Sequence, residues 1–247
     1  MHDWWPPIVG TVTGFLAAWG VLQLTDRRRQ RIAQAVTRRA VVAELRHTEL
    51  VLSSIIVNLS IGTDTVADAF RELKVLLEVG TERILRIGVL DLAADQLEAL
   101  RHLQGVSDHS AAEILRTLAP AQRARPLKVQ VPVLDVLLAN PAHGFGDVEL
   151  QALSAFRWQV HLLADEARLA DEFLPLASTA ADTDSHSRAL ATLDGTRESY
   201  RRRAIVAVQM IRDTLNLLKV RLGHRNQAAV MTRRARARRE LPRSEAP

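Results

Sequence analysis

The chain has 247 residues, with 47% hydrophobic and 25% charged, and no cysteine. The lack of cysteine excludes a disulfide framework, a thiolate zinc site, an iron–sulfur cluster and a cysteine nucleophile. Aromatic residues at 4%, with only 11 glycines and 9 prolines, speak against a strand-rich sandwich or barrel and for a helical chain.

The net charge of +5 is unevenly spread. Residues 1–50 carry +3, residues 51–196 carry −8 and residues 197–247 carry +10, so two basic ends enclose an acidic middle. Only Lys74, Lys128 and Lys219 are lysine. That arginine bias, beside abundant alanine, is the codon signature of a GC-rich bacterial genome and carries no mechanism.

From Trp4 to Leu24 no residue is charged. A helix of that length spans roughly 30 Å, the thickness of a bilayer's hydrocarbon core. Trp4 and Trp5 stand at one end, where indole rings favour the headgroup region. Pro6 and Pro7 suit a first helical turn. Arg27, Arg28, Arg29 and Arg31 follow the stretch, with Arg38 and Arg39 beyond, whereas Met1–Asp3 holds neither Lys nor Arg. By the positive-inside rule this order predicts a single-pass anchor in the bacterial plasma (inner) membrane, N-terminus outside and the long C-terminal part cytoplasmic. A signal peptide would place its positive charge before the apolar core. A soluble first helix is the competing reading, since Gly10, Thr11, Thr13, Gly14, Gly20 and Gln23 dilute the apolarity. Gly10, Gly14 and Ala18 recur every fourth residue on one face, a pattern that lets two membrane helices approach closely and self-associate.

Nothing breaks a helix from Asp26 to about Ser60. Ile32, Val36, Val42, Leu45, Leu52, Ile55 and Leu59 form one apolar stripe, so the anchor is expected to run on as a stalk. Leu50–Gly62 is uncharged but too short to cross a bilayer, and reads as a buried core helix. Thr63 or Asp64 is expected to cap the next helix. Helices follow at about 64–79, 81–104 and 108–118, with Gly80 and Gly105 as C-terminal caps. Residues 120–146 read as an irregular segment. Val129, Val131 and Val133 alternate there, a short helix lies near Val133–Ala139, and no sheet is expected. A strong helix is expected from Asp147 to about Leu174, ended by Pro175, with Leu150, Leu153, Phe156, Val160, Leu163 and Leu169 inward. Residues 177–195 read as a polar loop or a frayed short helix. The last long helix runs from about Thr196 to Arg221 or beyond, with Ile205, Val208, Ile211, Leu215, Leu218 and Leu222 as its stripe.

The whole is thus expected to be all-α. Residues 1–25 form a transmembrane anchor, residues 26–222 a cytoplasmic helical-bundle domain and residues 223–247 a basic, disordered tail. Anchor, arginine cluster and a helix carrying Ala43-Glu44-Leu45-Arg46 together resemble bacterial proteins with one N-terminal membrane helix and a helical cytoplasmic part. The resemblance covers about the first sixty residues and implies no activity.

The sequence contains no phosphate-binding or dinucleotide loop, no hydrolase elbow, no HExxH and no EF-hand loop. His161 and Asp165, four apart near Glu166, Asp171 and Glu172, offer two metal ligands and lack a third; an acidic solvated face is the better account of them. His102 and His109 flank a helix break and serve as caps or hydrogen-bond partners. Ser185-His186-Ser187 beside Asp184 lacks a stiff strand to hold a nucleophile. His143-Gly144-Phe145-Gly146 reads either as a helix-entry turn or as a close backbone approach to a ligand. No catalytic, cofactor or metal residue is assigned and no cofactor is expected.

The basic ends are the candidate contact surfaces. Arg27, Arg28, Arg29 and Arg31 lie within reach of anionic headgroups. Arg233, Arg234, Arg236, Arg238 and Arg239 form an anionic-partner tail without aromatic residues, so nucleic-acid binding there would be unspecific and salt-sensitive. The expected role is a membrane-anchored structural or interaction scaffold contacting the lipid bilayer, a protein partner and a second copy of itself. The alternatives are lipid or nucleic-acid binding through the tail, and a membrane-bound metal enzyme.

Overall fold

A computed structural model describes residues 5–61, 66–80, 82, 84, 101–117, 126–140, 144–179 and 183–240, excepting the side chains of 5–18, 20, 220–240 and a few single positions. The described helices are α1 (Trp5–Ser60), α2 (Val66–Val79), α3 (Asp108–Thr117), α4 (Pro132–Ala139), α5 (Asp147–Thr179) and α6 (Thr183–Glu240); a 3-10 turn, His102–Gly105, precedes α3. No strand occurs among the described residues, so the protein is a helical bundle.

Two apolar clusters hold it together. The larger joins α1, α4, α5 and α6 through Leu45, Leu52, Ile56, Leu134, Phe156, Leu163, Tyr200 and Ile211. The smaller packs Leu50, Val57 and Ile61 of α1 against Phe70, Leu73 and Leu77 of α2, with Ile84, Ala111 and Leu115. Each such leucine, isoleucine or phenylalanine removed from water contributes about 1.5–3 kcal/mol. Because α1 serves both clusters, it is buried at every position from Leu52 to Asn58. That is why the chain from Leu50 to Ser60 can do without charge: a helix with no solvent face needs none. Ser53 and Ser54 find polar partners. Ser54 Oγ donates to the Leu50 carbonyl at 2.8 Å and Ser53 Oγ to Glu72 Oε2 at 2.6 Å.

The alternating valines form no sheet. Residues 126–131 have no regular secondary structure, with Val129 and Val131 buried and Lys128 and Gln130 exposed. Alternation with a two-residue period gives one covered face. Pro132 then opens α4 at a position where a missing N–H costs nothing.

Several expectations are corrected. Ile32 and Val36 continue the stripe of α1 but are 57% and 59% exposed. Periodicity tells which face is apolar, and here no helix among the described residues covers that face. Leu169 is 38% exposed for a similar reason, its place in the core taken by Ala167 and Ala170. Helix α5 passes Pro175 and ends a turn later at Thr179, since a late proline forfeits one hydrogen bond and Ser178 Oγ caps the Pro175 carbonyl at 2.8 Å. The expected polar loop 177–195 is helical on both sides of residues 180–182. Gly195 lies inside α6, with open space where a Cβ would stand. Helix α6 also continues through Gly223 to Glu240, where the sequence suggested a disordered tail.

The expected transmembrane helix finds no support among the described residues, where no helix is long and apolar enough to cross a membrane. Most of the uncharged stretch Trp4–Leu24 precedes the first described side chain, Trp19. The caps expected at Thr63 and Asp64 and most of the helix expected at 81–104 lie outside the described residues. Gly80, at φ +100, ends α2 in the left-handed conformation glycine adopts most readily.

Candidate functional site

The part of α1 that leaves the bundle is the most unusual surface of the molecule. Residues 21–33 are exposed at every position. Trp19, Val21, Leu22 and Leu24 are 55–68% exposed, and Arg27, Arg28, Arg29 and Arg31 follow directly. An isolated solvent-facing helix normally carries polar residues around its whole circumference. Here apolar rings are succeeded by guanidinium groups, the order found where a helix passes from an apolar medium into water.

Helix α1 enters the bundle at Arg38, where a charge lock holds it. Arg38 Nη2 donates to both oxygens of Glu149, at 2.7 and 2.5 Å, and the Glu149 side chain is wholly buried. Glu149 stands in the first turn of α5 and also accepts the Gly146 N–H at 2.7 Å, satisfying a donor at the helix start. The Phe145 ring lies 4.9 Å from the Arg38 guanidinium carbon. Gly144 makes this turn possible: its φ is +69, and a Cβ there would stand 2.6 Å from Gln34 Cδ. The His143–Gly146 motif is therefore, over its described residues 144–146, a helix entry that clamps α1. His143 itself lies outside the described residues.

A second lock lies deeper. Arg212 of α6 donates to Glu49 of α1 at 2.8 Å and to both oxygens of Glu72 of α2 at 3.1 and 2.8 Å. Burial pulls its pKa down, but the bonds to Glu72 and Glu49 prevail and raise it. Glu44 of α1 accepts the Val133 and Leu134 N–H groups, each at 2.8 Å, capping α4 from another helix. Along the α5–α6 pair, Glu166 Oε1 accepts from Ser199 and Arg203, both at 2.6 Å. The Tyr200 hydroxyl donates to the Leu127 carbonyl at 2.6 Å, and burial pushes its pKa far above the usual phenol range. Glu198 is held down to about 2, chiefly by its hydrogen bond from Arg201, with burial opposing and Arg202 adding to the effect.

These carboxylates serve the fold. His161 and Asp165 are exposed and Glu166 is engaged by α6. No group of three or more His, Asp or Glu able to hold a metal occurs among the described residues. His109 lies 3.5 Å from Glu113 on an exposed helix face, and Asp184, His186 and Ser187 are exposed on the first turns of α6. None of these sets a nucleophile against a base.

Of the predicted contact residues, Arg27, Arg28, Arg29 and Arg31 stand exposed on one projecting helix. Trp4 lies outside the described residues. Trp5, Gly10, Gly14 and Ala18 belong to the helical backbone of α1, and Arg233, Arg234, Arg236, Arg238 and Arg239 to that of α6, with side chains outside the description. The pairing of Arg38 with Glu149 went unforeseen, because 111 residues separate the partners. A trace existed: Arg38, Val41, Leu45, Thr48 and Leu52 are three or four apart, so Arg38 sits on the inward stripe. Comparison with protein-family models, with curated proteins and with solved structures gives no match.

Proposed function

We propose that the protein is a membrane-held helical scaffold. The Trp4–Leu24 end of α1 lodges in the bacterial plasma membrane with the N-terminus outside, and the bundle on the cytoplasmic side serves as a docking body for a protein partner. The observation that carries the reading is the exposed run on α1, Trp19 to Leu24 followed by Arg27 to Arg31. Leaving four large apolar side chains in water on the outer arm of a charge-locked helix is unfavourable, and a bilayer interface removes that cost.

The docking role is supported by a largely exposed apolar face of α5. Val148, Ala155, Leu162 and Leu169 recur every seventh residue, and Trp158 beside them is 66% exposed. Apolar residues gathered in this way mark contact surfaces more often than chance exposure does. Self-association through Gly10, Gly14 and Ala18 would double the body at the membrane.

The test is fractionation of bacterial cells expressing the full chain with a tag on its last residue. The protein should stay in the membrane pellet through alkaline and high-salt washes and enter the supernatant only with detergent. The tag should resist protease added outside spheroplasts. Recovery in the detergent-free supernatant, or cleavage of the tag from outside, overturns the proposal.

A further inference from the structure

The fold brings two basic segments, distant in sequence, to one end of the molecule. Helix α5 begins beside Arg38, the point where α1 leaves the bundle. Helix α6 returns antiparallel to α5: Glu166 meets Ser199 and Arg203, and Gln159 Nε2 donates to the Arg203 carbonyl at 3.3 Å. Counting on from these pairs, α6 passes the start of α5 near Leu218, which shares a cluster with Val41 of α1. From there the helix continues away from the core to Glu240. It therefore leaves by the end from which Trp19–Arg31 projects. At 1.5 Å per residue, Arg233 lies roughly 22 Å beyond Leu218, and Arg27 roughly 16 Å beyond Arg38.

We infer that the arginines of α1 and the basic end of α6 form one two-helix clamp for the headgroups of anionic lipids; the inference rests on the anchored reading above. Counted along antiparallel helices from the Arg212–Glu49 pair, Arg233–Arg239 of α6 stand level with about residues 22–28 of α1. Both basic segments lie near the level where the apolar side chains Trp19–Leu24 give way to charge. A helix that brings charge to that level meets a negatively charged leaflet, where each Lys or Arg adds attraction and acts only within a Debye length. The neighbouring apolar side chains favour a lipid surface over nucleic acid, which would gain nothing from them. Neither basic segment interleaves aromatic residues on which bases could stack.

The absence of native cysteine makes the test direct. Full-length protein carrying Ala237→Cys, labelled with an environment-sensitive fluorophore, is reconstituted into vesicles of phosphatidylcholine alone or with about a third phosphatidylserine, both containing a headgroup quencher. Quenching is expected in the anionic vesicles, little in the neutral ones, and loss of it in molar salt. Replacing Arg233, Arg234, Arg236, Arg238 and Arg239 by Gln should lower the ratio of engaged to free tail about fivefold per arginine, to background. Replacing Arg27, Arg28, Arg29 and Arg31 by Gln should weaken it further in the otherwise native chain. Equal quenching in both vesicle types, or none, overturns the clamp. So does a label that answers to random-sequence duplex DNA at physiological salt and not to anionic vesicles, which would assign the basic end to nucleic acid. Failure of the protein to float with neutral vesicles overturns the anchor instead, and is read separately by flotation.

Discussion

Removing one member of the Arg38–Glu149 pair should cost far more than removing both. Glu149→Ala deletes the acceptor of two Arg38 hydrogen bonds and of the Gly146 N–H. It leaves a guanidinium whose side chain is only 9% exposed without its counter-charge. An uncompensated buried charge of this kind costs about 3–5 kcal/mol, and the lost helix-start acceptor adds about 1 kcal/mol. The sum approaches the whole stability of an ordinary domain, about 5–15 kcal/mol. The double variant Arg38→Met/Glu149→Leu buries no charge and leaves the Gly146 N–H as its main loss. Arg38 Nε and Nη1 have no hydrogen-bond partner among the described residues, so the exchange also removes two costly donors. It should therefore unfold within about 1 kcal/mol of the parent, or above it. The assay is urea unfolding of the full chain in mild detergent, followed by helical circular dichroism, for all four members of the cycle. Single variants losing less than 1 kcal/mol, or a double variant equal to the sum of the singles, would refute the reasoning.

Glu44→Gln keeps the volume but gives up the charged acceptor of two backbone donors, and should cost about 1–2 kcal/mol; hydrogen exchange at Val133 and Leu134 should accelerate before the rest of the bundle responds. Tyr200 is the only tyrosine, so absorbance at the phenolate band reads it alone. Because burial raises its folded pKa above the ordinary 10, the ring contributes stability that is present below pH 10 and lost as pH rises beyond it; ionisation should coincide with unfolding, and Tyr200→Phe should cost about 1 kcal/mol at neutral pH. Glu198 is lowered from 4.5 to about 2, so its contribution is complete above pH 4.5 and disappears as pH falls toward 2. Since its side chain is 36% exposed, solvent screening limits the effect to under about 1 kcal/mol, and Glu198→Gln should flatten acid unfolding in that window alone.

The residues announced the helices more clearly than their arrangement. The boundaries of α2, α4 and the start of α5 follow from Gly80, Pro132 and Gly146, whose backbone requirements are local and therefore visible in the chain. The burial of Leu50–Ile61 was visible because a charge-free run too short for a bilayer has few other uses. Exposure of Ile32 and Val36 was hidden, since an apolar stripe looks the same whether or not a neighbour arrives. The locks at Arg38 and Arg212 were hidden for the complementary reason. A charged residue reads as solvated until a partner 111 or 140 positions away is placed beside it. Pro175 and Gly195 misled because breakers act on isolated helices, and packing along the α5–α6 pair outweighs the hydrogen bond the proline forfeits and the backbone entropy the glycine loses.

An unbroken helix that is gripped at one point and free beyond it behaves as a lever. The 56-residue α1 has its fulcrum at Arg38, and an arm of roughly 50 Å lies ahead of it. Tilting that arm by about 6° would shift its tip by about 5 Å, roughly the pitch of one turn. Torque applied at the tip is delivered to the turn that seats Phe145 and to the first residues of α5, so strain on the outer arm and the posture of the body are mechanically coupled.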